Sequence, residues 1–71
     1  MEKFLDEMAE ILEVENVQPQ DNFTEFEAWD SLAQLSVIAL ADSNYGVTIS
    51  ALELKELKDI ASIKQLIDSK K

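Results

Sequence analysis

Apolar residues recur at helical spacing along the start of the chain. Met1, Phe4, Leu5, Met8, Ile11 and Leu12 fall at i, i+3, i+4 and i+7 intervals with acidic residues between them. This predicts an amphipathic helix that fades near Val14 to Asn16. Residues 17–30 hold no period, and Pro19, Asp21 and Asn22 are breakers, so this stretch reads as a long loop. Phe23, Phe26 and Trp29 lie in it. Aromatics in a loop either pin it to the core or form an exposed binding patch, and pinning is the expectation here.

A second helix is predicted from Ser31 to Tyr45. Leu32, Leu35, Ile38, Ala39 and Ala41 form its apolar stripe, and Val37 and Leu40 widen it, so burial on more than one side is expected. Small Ala39 and Ala41 suit close helix packing. Gly46, the only glycine, follows where a left-handed C-cap needs one. Val47-Thr48-Ile49 reads as an extended connector, because nothing else in the chain offers a strand to pair with it. Two further helices are predicted at Ala51 to Leu57 and Ile63 to Ser69. Ser50 with Glu53, Ser62 with Gln65 and Ser31 with Gln34 all fit the capping box, in which a serine and a Glu or Gln three residues on satisfy free amides reciprocally. Lys70 and Lys71 follow the last turn, where cations suit the helix dipole. The expected fold class is all-α: a small four-helix bundle of three longer helices and one short one, with a long loop after the first.

Composition narrows the chemistry. A chain of 71 residues is expected to form one domain, residues 1–71. At this size folding buries only about 60% of the unfolded surface, which leaves little room for a deep pocket beside the core. There is no cysteine and no histidine. That removes disulfides, thiolate nucleophiles and the commonest general base and metal ligand. One glycine cannot build a phosphate loop, and Asp21-Asn22 does not extend into a calcium loop. No metal site and no catalytic residue is expected, and the chain is not read as an enzyme. No signal peptide or apolar run of about 18 residues is evident, so a soluble, cytoplasmic protein is expected.

The net charge of −9 is unevenly placed. Residues 1–30 contain ten acids against Lys3 alone, whereas residues 31–71 hold five acids and five lysines. Such a balance disfavours nucleic acid and anionic membrane and favours basic partners. Solubility is the plainer explanation.

Ser31 has a special position. It stands between the loop and the second helix, beside Asp30. A helix start offers free amides and partial positive charge, which suit a phosphate. By local sequence alone Ser31 is an N-cap, like Ser50 and Ser62. The wider pattern adds to this. Asp30-Ser31-Leu32 resembles the Asp-Ser-Leu attachment motif of acyl carrier proteins, in which the serine opens a long apolar helix ending near an aromatic residue and glycine. An apolar–x–apolar connector and two short helices follow. Leu32 to Tyr45, Gly46, Val47-Thr48-Ile49 and the Ser50 and Ser62 starts match in order, and the likeness extends over essentially the whole chain.

The resemblance implies a stand-alone carrier. A phosphopantetheinyl transferase, using magnesium, would move 4′-phosphopantetheine from coenzyme A onto Ser31, making Ser31 both a cap and an attachment point. The arm's thiol would carry acyl groups as thioesters, so the reactive sulfur is imported. Asp30 and Leu32 would flank the site for recognition. Partners would be that transferase and enzymes that transfer or activate acyl groups in lipid, fatty acid, polyketide or related biosynthesis. No nucleic acid partner or membrane insertion is implied, and a monomer is expected. An aminoacyl or D-alanyl carrier shares the same arm. An unmodified helical interaction module is the reading from another class.

Two departures stand out. Glu27-Ala28-Trp29 replaces the Leu-Gly that often precedes the family motif. The second helix carries few docking carboxylates: Ala33, Ser36 and Ser43 occupy matching exposed positions, and Asp42 is the main acid. Docking is therefore expected to lean on apolar and hydroxyl contacts around Leu32, Ala33 and Ser36. The resemblance also implies an apolar space for cargo, bounded by this helix and Val47 to Leu57.

Overall fold

The computed structural model describes residues 2–71; Met1, placed in the first helix by its spacing, lies outside them. Four helices follow in order: α1 (Glu2–Ile11), α2 (Ser31–Tyr45), α3 (Ala51–Lys55) and α4 (Ile60–Ser69), with a 3₁₀ turn (Phe23–Glu25) in the loop after α1. No strand occurs among the described residues, and the small all-α bundle expected from the pattern is what forms.

One core is filled from every element. α1 contributes Phe4 and Met8, with Leu12 just past its end; α2 contributes Val37 and Ala41, and α4 contributes Ile60, Ile63 and Ile67. Val47 and Ile49 turn inward while Thr48 faces water, so the connector is extended as predicted. Gly46 ends α2 in the left-handed conformation at φ 65, the C-cap expected of it.

The stripe on α2 is rotated from the predicted one. Its buried residues are Ala33, Val37 and Ala41, an i, i+4, i+8 row. Leu32 and Leu35 point to solvent at 72% and 60% exposure. Ala33, counted among the exposed positions by its match to the family, is buried instead. Ala41 is fully buried, as close packing requires, whereas Ala39 is exposed.

Caps explain the other differences. The Ser50–Glu53 capping box forms: the Glu53 amide donates to Ser50 Oγ at 3.2 Å, and the Ser50 amide donates to Glu53 Oε1 at 2.9 Å. The Ser62–Gln65 box does not. Asp59 caps α4, its Oδ1 accepting from the Ser62 amide at 2.9 Å, so α4 begins at Ile60 rather than Ile63. Asp, as good a cap as Ser, stands three residues nearer the N-terminus. α3 stops at Lys55 rather than Leu57, because the Glu56 and Leu57 amides donate three residues back, to Glu53 and Leu54, in a tightened last turn.

The long loop is pinned, as its aromatics predict. Phe23 is fully buried and meets Trp29 edge to face, with centroids 4.6 Å apart. Asn22 caps the 3₁₀ turn, accepting from the Thr24 amide at 3.0 Å. Loop and α4 also share backbone bonds. The Ile60 amide donates to Asp21 O at 3.1 Å, the Ala61 amide to Pro19 O at 2.9 Å, and the Phe23 amide to Lys58 O at 3.1 Å. Loop carbonyls thus close the start of α4, where helical amides lack partners of their own.

The far end of α2 is clamped. The Tyr45 hydroxyl donates to Glu7 Oε1 at 2.9 Å, and Asn44 Nδ2 donates to Glu7 Oε2. Lys64 and Lys71 lie over the Tyr45 ring, 5.4 and 5.0 Å from its centroid, which joins α1, α2 and α4. Lys70 donates to Thr48 O at 3.1 Å and pairs with Glu53 at 2.8 Å, tying the last turn to the connector and α3.

Candidate functional site at the head of α2

Asp30, not Ser31, is the N-cap of α2. Asp30 has extended backbone, its Oδ1 accepts from the Ala33 amide at 2.9 Å, and its carbonyl accepts from the Gln34 amide at 3.0 Å. The expected Ser31–Gln34 capping box is therefore absent. Ser31 becomes the first residue of the helix, exposed to solvent, and its hydroxyl has no capping bond to hold.

This arrangement leaves donors free. The Ser31 and Leu32 amides have no acceptor among the described residues, since Asp30 serves only the amides that follow. The start of α4 differs, because loop carbonyls and Asp59 take its first three amides. An exposed hydroxyl beside two unspent N–H groups at the positive end of a fifteen-residue helix suits a covalently held phosphodiester.

The approach to the site is packed against the core. Trp29, two residues before Ser31, packs on Phe23, and its amide donates to Phe26 O at 3.0 Å. Trp29 thus fills space just ahead of the motif. Around Ser31 the α2 surface is short of charge. Leu32, Leu35, Ser36, Ala39 and Ser43 are exposed, and Asp42 is the only acid in the helix. On α3, Leu52 is 74% exposed. Leu32 is exposed as its expected flanking role requires, whereas the exposure of Leu35 on α2 runs against the apolar stripe read from spacing.

No group of three or more potential metal-ligating side chains occurs among the described residues. None of their helices is long and apolar enough to cross a membrane. The strongest perturbation of acidity lies far from Ser31: burial and the hydrogen bond to Glu7 push Tyr45 up to about 12. On α3 and α4, hydrogen bonds from Lys70, Ser62 and Lys64 hold Glu53, Asp59 and Asp68 respectively below the usual carboxylate range.

In the segment expected to border cargo, Val47, Ile49 and Leu54 are packed into the core. An open cleft of about 490 Å³ lies elsewhere, lined by Leu12, Glu13 and Val14 at the end of α1 and by Phe26, Glu27 and Ala28 in the loop.

A small helical bundle with an exposed serine heading its longest helix has the build of a carrier domain. A family model described as the phosphopantetheine attachment site matches residues 2–67. The chain belongs to this family of phosphopantetheine-binding carrier domains. Its members hold 4′-phosphopantetheine covalently and have no catalytic activity of their own. Comparisons with curated proteins and with solved structures returned no match.

Proposed function

We propose that Ser31 is the residue that takes the arm, and that the chain works as one cytoplasmic, monomeric acyl carrier domain. The observation that carries this reading is the division of labour at the head of α2. Asp30 does the capping, so Ser31 is exposed with its hydroxyl uncommitted. Asp30 and Leu32 flank it on surfaces a transferase can reach. When bound, the arm supplies a thiol that holds acyl groups as thioesters. The chain's own part is to fix the origin of the arm, to offer the Ser31 and Leu32 amides to the phosphate, and to present α2 to partner enzymes of lipid, polyketide or related biosynthesis.

Docking on α2 draws on Leu32, Leu35 and Ser36 rather than on charge. Ala33 leaves the set, because it is buried. With Asp42 the only acid on the helix, steering through this face is weak, and affinity there depends little on salt. An Asp42→Lys variant that alone abolished partner binding would overturn this part of the reading.

The test of attachment is mass. The protein is incubated with coenzyme A, magnesium and a promiscuous phosphopantetheinyl transferase. A gain of one phosphopantetheine, absent in Ser31→Ala, is the expected result. No gain with several transferases, from protein whose circular dichroism is native, would leave Ser31 as a surface residue of a helical interaction module.

A further inference from the structure

We infer that the cleft between the end of α1 and the loop is a second docking point, for a partner protein segment that presents an arginine or lysine beside an apolar side chain. The inference does not depend on the arm at Ser31.

The cleft combines two chemistries. Its walls are Leu12, Val14, Phe26 and Ala28, and its carboxylates are Glu13 and Glu27. Val14 is 40% exposed. Phe26 is half-buried and packs against the core, so its inner part is spent and its outer part is left to the cleft. Both glutamates are exposed. The cleft is open and has a volume of about 490 Å³, which suits a side chain laid across it rather than an enclosed ligand.

Charge identifies the occupant. The ion pairs among the described residues are Lys64–Asp68, Lys70–Glu53 and Lys71–Asp68, so all the pairing lies from residue 53 onward. Among the described residues, no cation pairs with Glu13 or Glu27. Lys3, the one lysine of the first thirty residues, sits in the first turn of α1, about 15 Å along the helix from Glu13. The backbone supports the same view. Glu13 adopts φ 60, where glycine would be less strained. The turn itself needs only the Glu13 amide on Glu10 O and the Val14 amide on Ala9 O, so the carboxylate contributes nothing to it. An arginine reaching in would pair with the glutamates while its stem, or an apolar neighbour, covers Val14 and Phe26. Nucleic acid is repelled by the same charge.

The position matters for a carrier. Ala28 is three residues before Ser31, at most about 10 Å of chain. A partner enzyme holding this cleft and the α2 face together would contact the chain both before and after the serine.

The probe is a blocked tetrapeptide of alternating arginine and leucine, titrated into the uniformly ¹⁵N-labelled full chain while amide shifts are followed. The expected shifts centre on Leu12 to Val14 and Phe26 to Ala28. They weaken strongly near 0.5 M salt, where the screening length falls below about 5 Å. The Glu13→Gln/Glu27→Gln variant should bind about tenfold more weakly, the scale of two exposed charge contacts. An Asp6→Gln/Glu10→Gln variant, changed equally in charge but outside the cleft, should move less than twofold. A peptide with glycine in place of leucine should also bind more weakly. The inference is overturned if no shifts appear by millimolar peptide, or if they spread over α1 or centre on α2. It is also overturned if the two double variants weaken alike, or if the glycine peptide binds as well. Native dispersion of the spectra verifies that each variant is folded. Attachment of the arm is read separately, by mass.

Discussion

The Asp30 carboxylate accepts the Ala33 amide at 2.9 Å, and this one bond gives the capping of α2 to Asp30. The Ser31 hydroxyl beside it stays uncommitted, and under the proposed function it takes the arm. Asp30→Ala should therefore lower stability by about 1 kcal/mol, a shift of about 4–8 °C in Tm for a domain of this size. Ser31→Ala should change stability by only a few tenths of that, yet abolish loading. Thermal melts of both variants, set beside their mass spectra, check the separation. Equal destabilisation by the two would contradict it.

Tyr45 is the only tyrosine and is pushed up to about 12 by burial and by its bond to Glu7. Its folded value is raised above the ordinary value of 10.0. The stabilisation is thus fully present below pH 10 and is lost as pH rises toward about 12. Tyrosinate absorbance in folded protein should have its midpoint above that of a free tyrosine. In Tyr45→Phe the hydroxyl's share of the alkaline loss should disappear, at a cost of about 1 kcal/mol at neutral pH.

Asp59 is shifted the other way. Hydrogen bonds from the Ser62 hydroxyl and amide lower its pKa, so its contribution is present above the unfolded value and is lost as pH falls through the folded one. Asp59→Asn should melt at lower temperature than the parent near neutral pH, and the gap should narrow on acidification. Because the loop shares backbone bonds with the same end of α4, the Trp29 fluorescence change should track this unfolding.

Glu13 stands in left-handed backbone at the end of α1. Glu13→Gly relieves a steric cost of roughly 1–2 kcal/mol, offset in part by the added freedom of the unfolded chain. A net gain of about 0.5–1 kcal/mol is expected, read as a rise in the urea midpoint. The same variant should bind the arginine–leucine peptide less well. Stability and docking would then pull in opposite directions at one residue.

Phe23 is fully buried against Trp29. Phe23→Leu should cost about 1–1.5 kcal/mol, as volume-changing swaps in cores do, and should shift the emission of the single tryptophan. An unchanged spectrum would mean that the loop is held by its backbone bonds alone.

Much of this was legible in the chain. The period of α1, the Gly46 stop, the inward-outward connector and the aromatic pins of the loop follow from residue type and spacing. What escaped was phase. Asp30-Ser31 offers two good caps in a row, and only the side-chain bond decides between them. Asp59 and Ser62 posed the same ambiguity and shifted the start of α4. The buried face of α2 is set by a different ambiguity: apolar residues lie all round the helix, so spacing favours Leu32 and Leu35, while the core takes the row Ala33, Val37 and Ala41. The cleft was illegible for another reason: it joins residues far apart in sequence, and its turn uses a glutamate where a glycine would have signalled the left-handed bend.

The clamp of Glu7 on Tyr45 has one more consequence. α2 is about 20 Å long, with Ser31 at one end and its interhelical hydrogen bonds at the other. Its polar ties lie at the foot, while near the tip it is held by apolar packing through Ala33 and Val37. Whatever engages the tip disturbs few of the bonds that hold the foot, so the surface around Ser31 can be resculpted for new enzymes while the fold beneath stays put.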